Sequence, residues 1–433
     1  MRKYEKYKPS GIEWLGEIPE HWEVKRVKEI FRNIGSGTTP PSGDQTYYED
    51  FGINWLQTGD LNDGYILETS KKVTQKARDE YSTLKLYPKE SLVIAMYGAT
   101  IGKMGYLKIK TTTNQACCVL SYLKYNNERY VFYQLLSMKS FVISLSTGGG
   151  QPNINQDIVK FLKITLPSFV EQTAIANYLD TKTAAIDRKI ELLTAKADKY
   201  KALRRSLINE TVCRGLNPNA SLKDSGIEWI GMIPEHWEVD RLKNLCIYIS
   251  RGITPDYVEN SEFKVINQAT FSQGFFDEEN IKFTTKSDKR AEAKVNDIIV
   301  ASTGGGVLGK VYFIDVLSGK YFSDSHVTTI RTNLNRLNPK YLFYFLSINF
   351  DLINGIMAKG STNQTELQRD SLLGFNWCIP PIEEQTAIAQ YLNEKTTQID
   401  TILTNINNQI NKLTQLRKTL INDVVTGKIK VAD

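Results

Sequence analysis

SGIEWLGEIPEHWEVKRVKEI, residues 10–30, recurs as SGIEWIGMIPEHWEVDRLKNL at residues 225–245, and 15 of these 21 positions are identical. A second pair follows at nearly the same spacing, because VEQTAIANYLDTKTAAID from residue 170 matches EEQTAIAQYLNEKTTQID from residue 383. Two separate matches at nearly one spacing indicate a tandem duplication. The chain is therefore one module present twice.

The segments between the matched blocks, residues 31–150 and 246–362, have diverged. Short islands of similarity remain: GSGTTP at 35–40 with SRGITP at 250–255, AMYGATIGKMG from 95 with ASTGGGVLGKV from 301, and LSTGGGQPNINQDIV from 145 with AKGSTNQTELQRDSL from 358. We expect two domains that share a fold and present different side chains. Two domains that recognise different targets would share a fold and differ in their side chains in this way.

Both diverged segments alternate short β-rich stretches with Gly, Asn and Asp turns. The pattern predicts strands at 53–57, 91–96, 116–122, 264–267, 297–302 and 326–331, and helices near 128–144 and 339–353. Each segment is then a mixed α/β domain.

Each Gln-Thr-Ala-Ile-Ala block opens a run without Gly or Pro, at residues 171–214 and 383–426. Apolar residues recur there every seven positions: Leu179, Ile186, Leu193, Tyr200 and Leu207, then Leu392, Ile399, Ile406, Leu413 and Leu420. This heptad pattern predicts two long helices, each a rod of about 65 Å, that pair along the seam. A helix packed on a globular body is the alternative interpretation.

These patterns predict an α+β fold with a pseudo-twofold internal repeat. Residues 1–169 form the first mixed α/β domain with the first PEHW segment, and residues 170–215 form the first long helix. Residues 216–382 form the second domain with the second PEHW segment, and residues 383–433 form the second long helix and the C-terminal tail.

Composition excludes some classes of protein. The 433 residues carry 54 basic and 48 acidic side chains, a net charge of +6 that is compatible with a nucleic-acid partner without requiring one. The five cysteines form no CxxC pair or His/Cys group, so we predict no metal site and no disulfide framework. No apolar run approaches 18 residues, so we expect no membrane association and a cytoplasmic protein.

One motif resembles a phosphate-binding loop. Gly304, Gly309 and Lys310 match GxxxxGK, but Val311 follows where Ser or Thr would bind magnesium. The copy at residues 98–103 also lacks the hydroxyl. We therefore interpret the glycines as a turn after a strand that both copies share. Lys103 and Lys310 are candidate phosphate contacts.

His21 and His236 stand beside tryptophans in the duplicated PEHW blocks, which indicates a structural role where each domain meets a long helix. No nucleophile or carboxylate recurs with them at catalytic spacing, and Asn-Pro-Pro-Tyr and FxGxG methyltransferase motifs are absent from the sequence. We predict no catalytic residues in this chain.

Polar side chains concentrate in glycine-containing loops, chiefly residues 146–155 and 359–368. Such side chains hydrogen-bond base edges and phosphates, although ordinary turns use the same residue types. The candidate DNA contacts are Arg32, Thr38, Thr39, Lys103, Gln151, Asn153, Asn155, Arg251, Thr254, Lys310, His326, Thr362, Asn363 and Gln364. His326 is either a base contact or ordinary strand surface.

The PEHWEV blocks, the stretch GQPNINQDIVKFLKITLPSFVEQTAIANYLD and its copy ending in CIPPIEEQTAIAQYLN together resemble the specificity subunit of type I restriction-modification systems. The resemblance covers essentially the whole chain. It implies two target recognition domains that each read half of a bipartite double-stranded DNA sequence, and two helices that pair as an antiparallel coiled coil and set the gap. One departure concerns the second loop, where GSTNQTELQRDSL lacks the proline and adds Glu366 and Asp370.

The resemblance also implies partners. Two modification subunits would supply S-adenosylmethionine and adenine methylation, and restriction subunits would add translocation and cleavage with ATP and magnesium. This chain would hold no cofactor. The alternatives are an assembly scaffold whose repeated domains bind proteins, and the specificity module of a single-component restriction enzyme.

Overall fold

A computed structural model describes residues 2–146, 153–228, 230–304, 306–349, 353, 355, 358–359 and 365–431. The chain forms two compact units. Unit 1 contains Met1–Leu193 and Asn408–Asp433, and unit 2 contains Thr194–Asn407. Each unit therefore includes one diverged segment and part of both long helices.

Unit 1 opens with the strands and helices of the first copy. Its elements are β1 Tyr7–Pro9, β2 Glu17–Pro19, β3 Glu23–Arg26, α1 Val27–Ile30, β4 Phe31–Gly35, β5 Tyr48–Leu56, β6 Gly64–Ile66, β7 Lys71–Val73, α2 Gln75–Glu80, β8 Leu92–Ala95, β9 Met104–Leu107, β10 Thr112–Thr113, β11 Cys117–Leu123, α3 Glu128–Ser137, α4 Lys139–Ser144, α5 Gln156–Phe161, β12 Lys163–Leu166 and the long helix α6 Phe169–Arg214.

Two sheets organise unit 1. The larger has the order β4-β11-β8-β9-β6, and its central strand β8 is buried along its whole length. The smaller has the order β10-β5-β7. Helix α3 begins where the Asn127 side chain accepts hydrogen bonds from the amides of Arg129 and Tyr130, as an N-cap does.

Unit 2 repeats this series with other side chains. Its elements are β13 Leu222–Asp224, β14 Met232–Pro234, β15 Glu238–Arg241, α7 Leu242–Leu245, β16 Cys246–Arg251, β17 Tyr257–Val258, β18 Phe263–Ile266, α8 Gln268–Phe271, β19 Lys282–Thr284, β20 Ile298–Ala301, β21 Val311–Phe313, β22 Lys320–Ser323, β23 Val327–Thr332, α9 Pro339–Ile348, β24 Ala358–Lys359, β25 Glu366–Leu367, α10 Arg369–Leu373, β26 Asn376–Ile379 and the long helix α11 Ile382–Val425.

The sheets of unit 2 match those of unit 1. The order β16-β23-β20-β21 corresponds to β4-β11-β8-β9, and β18 pairs with β19 antiparallel and with β22 parallel, as β5 does with β7 and β10. The two diverged segments thus share this strand order, and unit 1 adds β6 at the edge of its larger sheet. The sequence-based prediction of an α+β fold with an internal repeat is confirmed, and observed strands overlap all six predicted strand positions.

The long helices α6 and α11 contain 46 and 44 residues. In unit 1 the first turns of α6, with Leu179, share a core with the last turns of α11, including Val424. In unit 2 the last turns of α6, with Val212, share a core with the first turns of α11, including Leu392. The helices are therefore antiparallel, as the resemblance implied.

The predicted seam follows the buried side of both helices. Leu179, Leu392, Ile399 and Ile406 are buried, and the other six seam residues are half-buried. Ion pairs flank the seam, between Asp187 and Arg417 at 2.8 Å in unit 1 and between Arg204 and Asp400 at 3.0 Å in unit 2. Across the described ranges, the helices include none with the length and apolar character needed to cross a bilayer.

A carboxylate on α6 fixes the first PEHW block. Glu171 accepts hydrogen bonds from the Tyr4 hydroxyl at 2.5 Å and from the indole nitrogen of the fully buried Trp22 at 3.2 Å, and it contacts His21 Nε2 at 2.9 Å. Burial and then the bond to Glu171 raise the pKa of Tyr4, so its hydroxyl remains a donor. The predicted structural role of His21 fits this geometry.

The second copy repeats the junction. Glu384 on α11 accepts from the indole nitrogen of buried Trp237 at 3.2 Å and contacts His236 Nε2 at 2.7 Å. The following glutamines act alike, since the Gln172 side chain accepts from the Asn127 amide at 2.9 Å and that of Gln385 from the Asn338 amide at 2.7 Å. In each copy the glutamate therefore links the PEHW block to the long helix, and the glutamine links the diverged segment to it.

Candidate nucleic-acid interface

One end of the larger sheet in unit 1 collects several of the predicted contacts. The register pairs Val119 with Gly35 and Cys117 with Ala95. The end of β4, the end of β8 and the start of β11 therefore coincide. The loops 36–40, 96–103 and 114–116 all emerge at this end, which we call sheet end 1.

Close backbone packing fixes the first of these loops. A Cβ atom at Gly37 would overlap the carbonyl oxygen of Thr113, so the approach requires glycine. The Thr39 hydroxyl donates to the Gln115 side chain at 2.6 Å, and the Trp55 indole donates to the Thr38 carbonyl at 3.2 Å. Thr39 and Gln115 are both exposed.

The segment after residue 152 joins the same end. Asn153 forms an isolated antiparallel β-bridge with Tyr97, and the Ile154 amide donates to the Met96 carbonyl at 2.7 Å. Asn155 is the N-cap of α5, because its side chain accepts from the Ile158 amide at 2.8 Å. A side chain engaged in this way has one fewer acceptor position for a base edge.

The structure thus brings Thr38, Thr39, Lys103, Asn153 and Asn155 to sheet end 1. It does not bring Arg32 there, since this exposed residue lies near the start of β4, three residues before the end of the strand. The candidate Gln151 lies outside the described residues.

Sheet end 2, in unit 2, has the same construction. The register pairs Arg251 with Thr328 and Ala301 with Val327, so the ends of β16 and β20 meet the start of β23. A Cβ atom at Gly252 would overlap the Ser323 carbonyl oxygen, as one at Gly37 would overlap Thr113. The two domains therefore present equivalent loops.

The side chains at sheet end 2 are different. Gln268 Nε2 donates to the carbonyl oxygens of Thr303 at 2.8 Å and His326 at 3.0 Å. The exposed His326 ring contacts the Thr303 hydroxyl through Nδ1 at 2.9 Å. Burial raises the pKa of Asp324, whose carboxylate accepts from the His326 amide at 2.8 Å.

Partners within unit 2 restrain two of the predicted cations. Arg251 donates to the Glu366 carboxylate at 3.1 Å and to the Leu367 carbonyl at 3.3 Å. Lys310 Nζ donates to the Ser272 carbonyl at 2.8 Å, so a phosphate contact would have to compete with this bond.

The remaining candidates of unit 2 divide between the described and undescribed parts of the chain. Thr254 is exposed in the loop after β16, and its carbonyl accepts from Lys286 at 3.2 Å. Thr362, Asn363 and Gln364 lie outside the described residues.

The glycine motif is a turn in both units. The Gly102 amide donates to the Ala95 carbonyl at 2.9 Å, and the Gly309 amide donates to the Ala301 carbonyl at 2.8 Å. Each bond closes the loop between two antiparallel strands, as predicted for a turn after a strand. In the described part of the chain, no three His, Cys, Asp or Glu side chains are grouped to hold a metal ion.

Sequence reasoning missed several polar residues at the two sheet ends. Gln115, Gln268 and Thr303 are within hydrogen-bonding distance of predicted candidates or their neighbours. A groove of about 650 Å³ beside sheet end 1 adds Tyr48 and Lys72. The signal available for Gln115 was its position, because it stands two residues before β11, at the end of the strand where the candidate loops lie.

Comparison with known proteins identifies the same repeat. The family model described as "Type I restriction modification DNA specificity domain" matches residues 19–197 and 234–412. The type I restriction enzyme MjaVIII specificity subunit of Methanocaldococcus jannaschii is 26% identical over 431 residues, which cover 96% of this chain and 94% of that protein. The StySPI specificity subunit of Salmonella potsdam is 23% identical, over 96% of this chain and 90% of its own.

A solved structure has the same fold. One chain, from work on complex assembly and conformational transition of the type I restriction-modification system, superposes with a TM-score of 0.72 at 15% identity. The superposition covers 95% of this chain and 99% of that chain.

Proposed function

Because this chain belongs to the type I restriction-modification DNA specificity family, a non-catalytic class of DNA-recognition subunit, we propose that it reads a bipartite target with one half-site per unit. Sheet end 1 would read one half and sheet end 2 the other. The observation that carries this proposal is the equivalent construction of the two ends with different exposed side chains.

The chemistry of the sheet ends suits base recognition. Thr39 and Gln115 at sheet end 1, and His326 at sheet end 2, are exposed donors or acceptors on loops held by the backbone. Each base pair presents a distinct donor and acceptor pattern in the major groove, so loops of this kind distinguish sequences there. Phosphate contacts would fix the register without specifying it.

The two long helices would set the gap between the half-sites. Both helices run without interruption through more than 40 residues, and both contribute to each unit. A change in their common length would then change the number of base pairs between the half-sites.

We assign catalysis to partner subunits in the cytoplasm. Two modification subunits, one for each copy of the duplicated frame, would bind S-adenosylmethionine and methylate adenine. Restriction subunits would use ATP and magnesium to translocate and cleave DNA. The repeated frame supports two equivalent docking faces, because its residues are matched where the sheet ends are not.

Methylome sequencing with and without the gene tests the proposal. A bipartite methylated-adenine motif should disappear on deletion and return with the wild-type gene. Purified chain with its modification subunits should also bind that sequence in a salt-dependent manner. Unchanged methylation together with absent sequence-specific binding would favour the assembly scaffold instead.

A further inference from the structure

Strand β5 contains an excursion that carries an exposed aromatic residue. Tyr48 and Ile53 both pair with Val73, so residues 49–52 leave the sheet between them. Phe51 stands in this excursion and is 97% exposed. Single exposed apolar residues are common on proteins, so the exposure alone carries no conclusion.

Local contacts hold the excursion in place. A Cβ atom at Gly52 would overlap the Val73 carbonyl oxygen, so this close approach requires glycine. Lys72 Nζ donates to the Asp50 carbonyl at 2.9 Å and lies 5.9 Å from the centre of the Phe51 ring. The loop that exposes Phe51 to solvent is therefore held by contacts of its backbone with β7.

The excursion is attached to sheet end 1. The Tyr48 hydroxyl donates to the Pro40 carbonyl at 2.6 Å, in the loop that carries Thr38 and Thr39. Thr39 and Asp50 also line the same groove of about 650 Å³. A surface that contacts DNA through Thr39 would therefore include this loop.

We propose that Phe51 reads the C5-methyl group of a thymine in the major groove of the half-site recognised by unit 1; the inference rests on the proposed function. That methyl group is the apolar feature of the major-groove edge, and phenylalanine is among the side chains suited to it. The carboxylate of adjacent Asp50 disfavours the phosphates and the electronegative minor groove, and it suits a groove that also offers cytosine amino donors.

The corresponding part of unit 2 differs. Between β17 and β18 the sequence is Glu-Asn-Ser-Glu at residues 259–262, without an aromatic side chain. The inferred contact is therefore confined to one half of the target. This asymmetry supplies an internal control, because thymines in the other half-site should not respond to a change at Phe51.

Deoxyuridine in place of thymine removes only the methyl group and provides the test. The full chain, in complex with its modification subunits, is titrated with duplexes that carry this replacement at one thymine of the unit 1 half-site at a time. The affinity of the wild-type complex should fall about fourfold at one position, because burial of one methyl group contributes about that factor in affinity. The Phe51→Ala variant should bind thymine and deoxyuridine equally at that position.

Tyr125→Ala is the matched control. Tyr125 is 94% exposed and follows β11 at the end of the larger sheet that lies opposite sheet end 1, so this variant should retain the wild-type response. The inference is overturned if no thymine of the half-site is sensitive, or if Phe51→Ala keeps the wild-type sensitivity. Failure of the wild-type complex to bind a bipartite sequence at all would instead overturn the proposed function, and the inference with it.

Discussion

Removal of the Glu171 carboxylate should destabilise unit 1 more than the equivalent change destabilises unit 2. In Glu171→Ala the indole N–H of buried Trp22 loses its acceptor, the Tyr4 hydroxyl loses a charged acceptor, and exposed His21 loses a contact. An unsatisfied buried donor costs about 1–3 kcal/mol. We expect a loss of about 3 kcal/mol in total, most of it from Trp22 and Tyr4.

Glu384→Ala removes two of the corresponding contacts, to Trp237 and His236, and we expect a loss of about 2 kcal/mol. Glu191→Ala is the control on the same helix, since its exposed pair with Arg188 is worth about 0–1 kcal/mol. Differential scanning calorimetry of the three variants measures the effect, at roughly 2–4 °C per kcal/mol for a unit of this size. A Glu171→Ala transition within 1 °C of the Glu191→Ala transition would refute the reasoning.

Further predictions concern the helices, the sheet ends and a buried thiol. Insertion of one heptad at matching levels of both long helices lengthens them by about 10 Å and keeps the seam in phase, so methylation mapping should show a gap about three base pairs longer; an unchanged gap would contradict the role of the helices. Gly37→Ala should weaken unit 1 by about 1–3 kcal/mol through overlap with Thr113, whereas Gly43→Ala, which has open space, should not; equal melting temperatures would exclude the close approach. Burial raises the pKa of Cys118 to about 12, so this buried thiol remains protonated at pH 8 and should react with iodoacetamide only after unfolding in urea; rapid reaction of Cys118 in the folded chain would show that it is accessible.

The sequence predicted the elements with strong periodicity. The heptads of Leu179 and Leu392 placed two helices whose observed ends lie within about two residues of the predicted ones. The strands were found from short β-branched runs such as Leu92–Ala95, which are buried on both faces. A local pattern suffices for such elements, because a sustained heptad repeat indicates a helix and a short continuous apolar run between turn residues is consistent with a strand buried on both faces.

Contacts between distant residues were beyond sequence reasoning. Lys310 donates to Ser272, 38 positions earlier in the chain, so its engagement depends on the tertiary fold. The Asn155 cap had a local signal, since asparagine directly precedes a helix-length segment. Glu171 also had a signal, which spacing along the chain missed: a glutamate recurs at that position in both copies, and the fold places each one against the histidine of its PEHW block.

Exchange of residues 31–150 for the corresponding segment of another specificity subunit tests the central claim most directly. The exchanged protein, expressed with its modification subunits, is analysed by methylome sequencing. We predict a new sequence in one half of the methylated motif, with the other half and the gap retained. A change in both halves, or in neither, would contradict the assignment of one half-site to each unit.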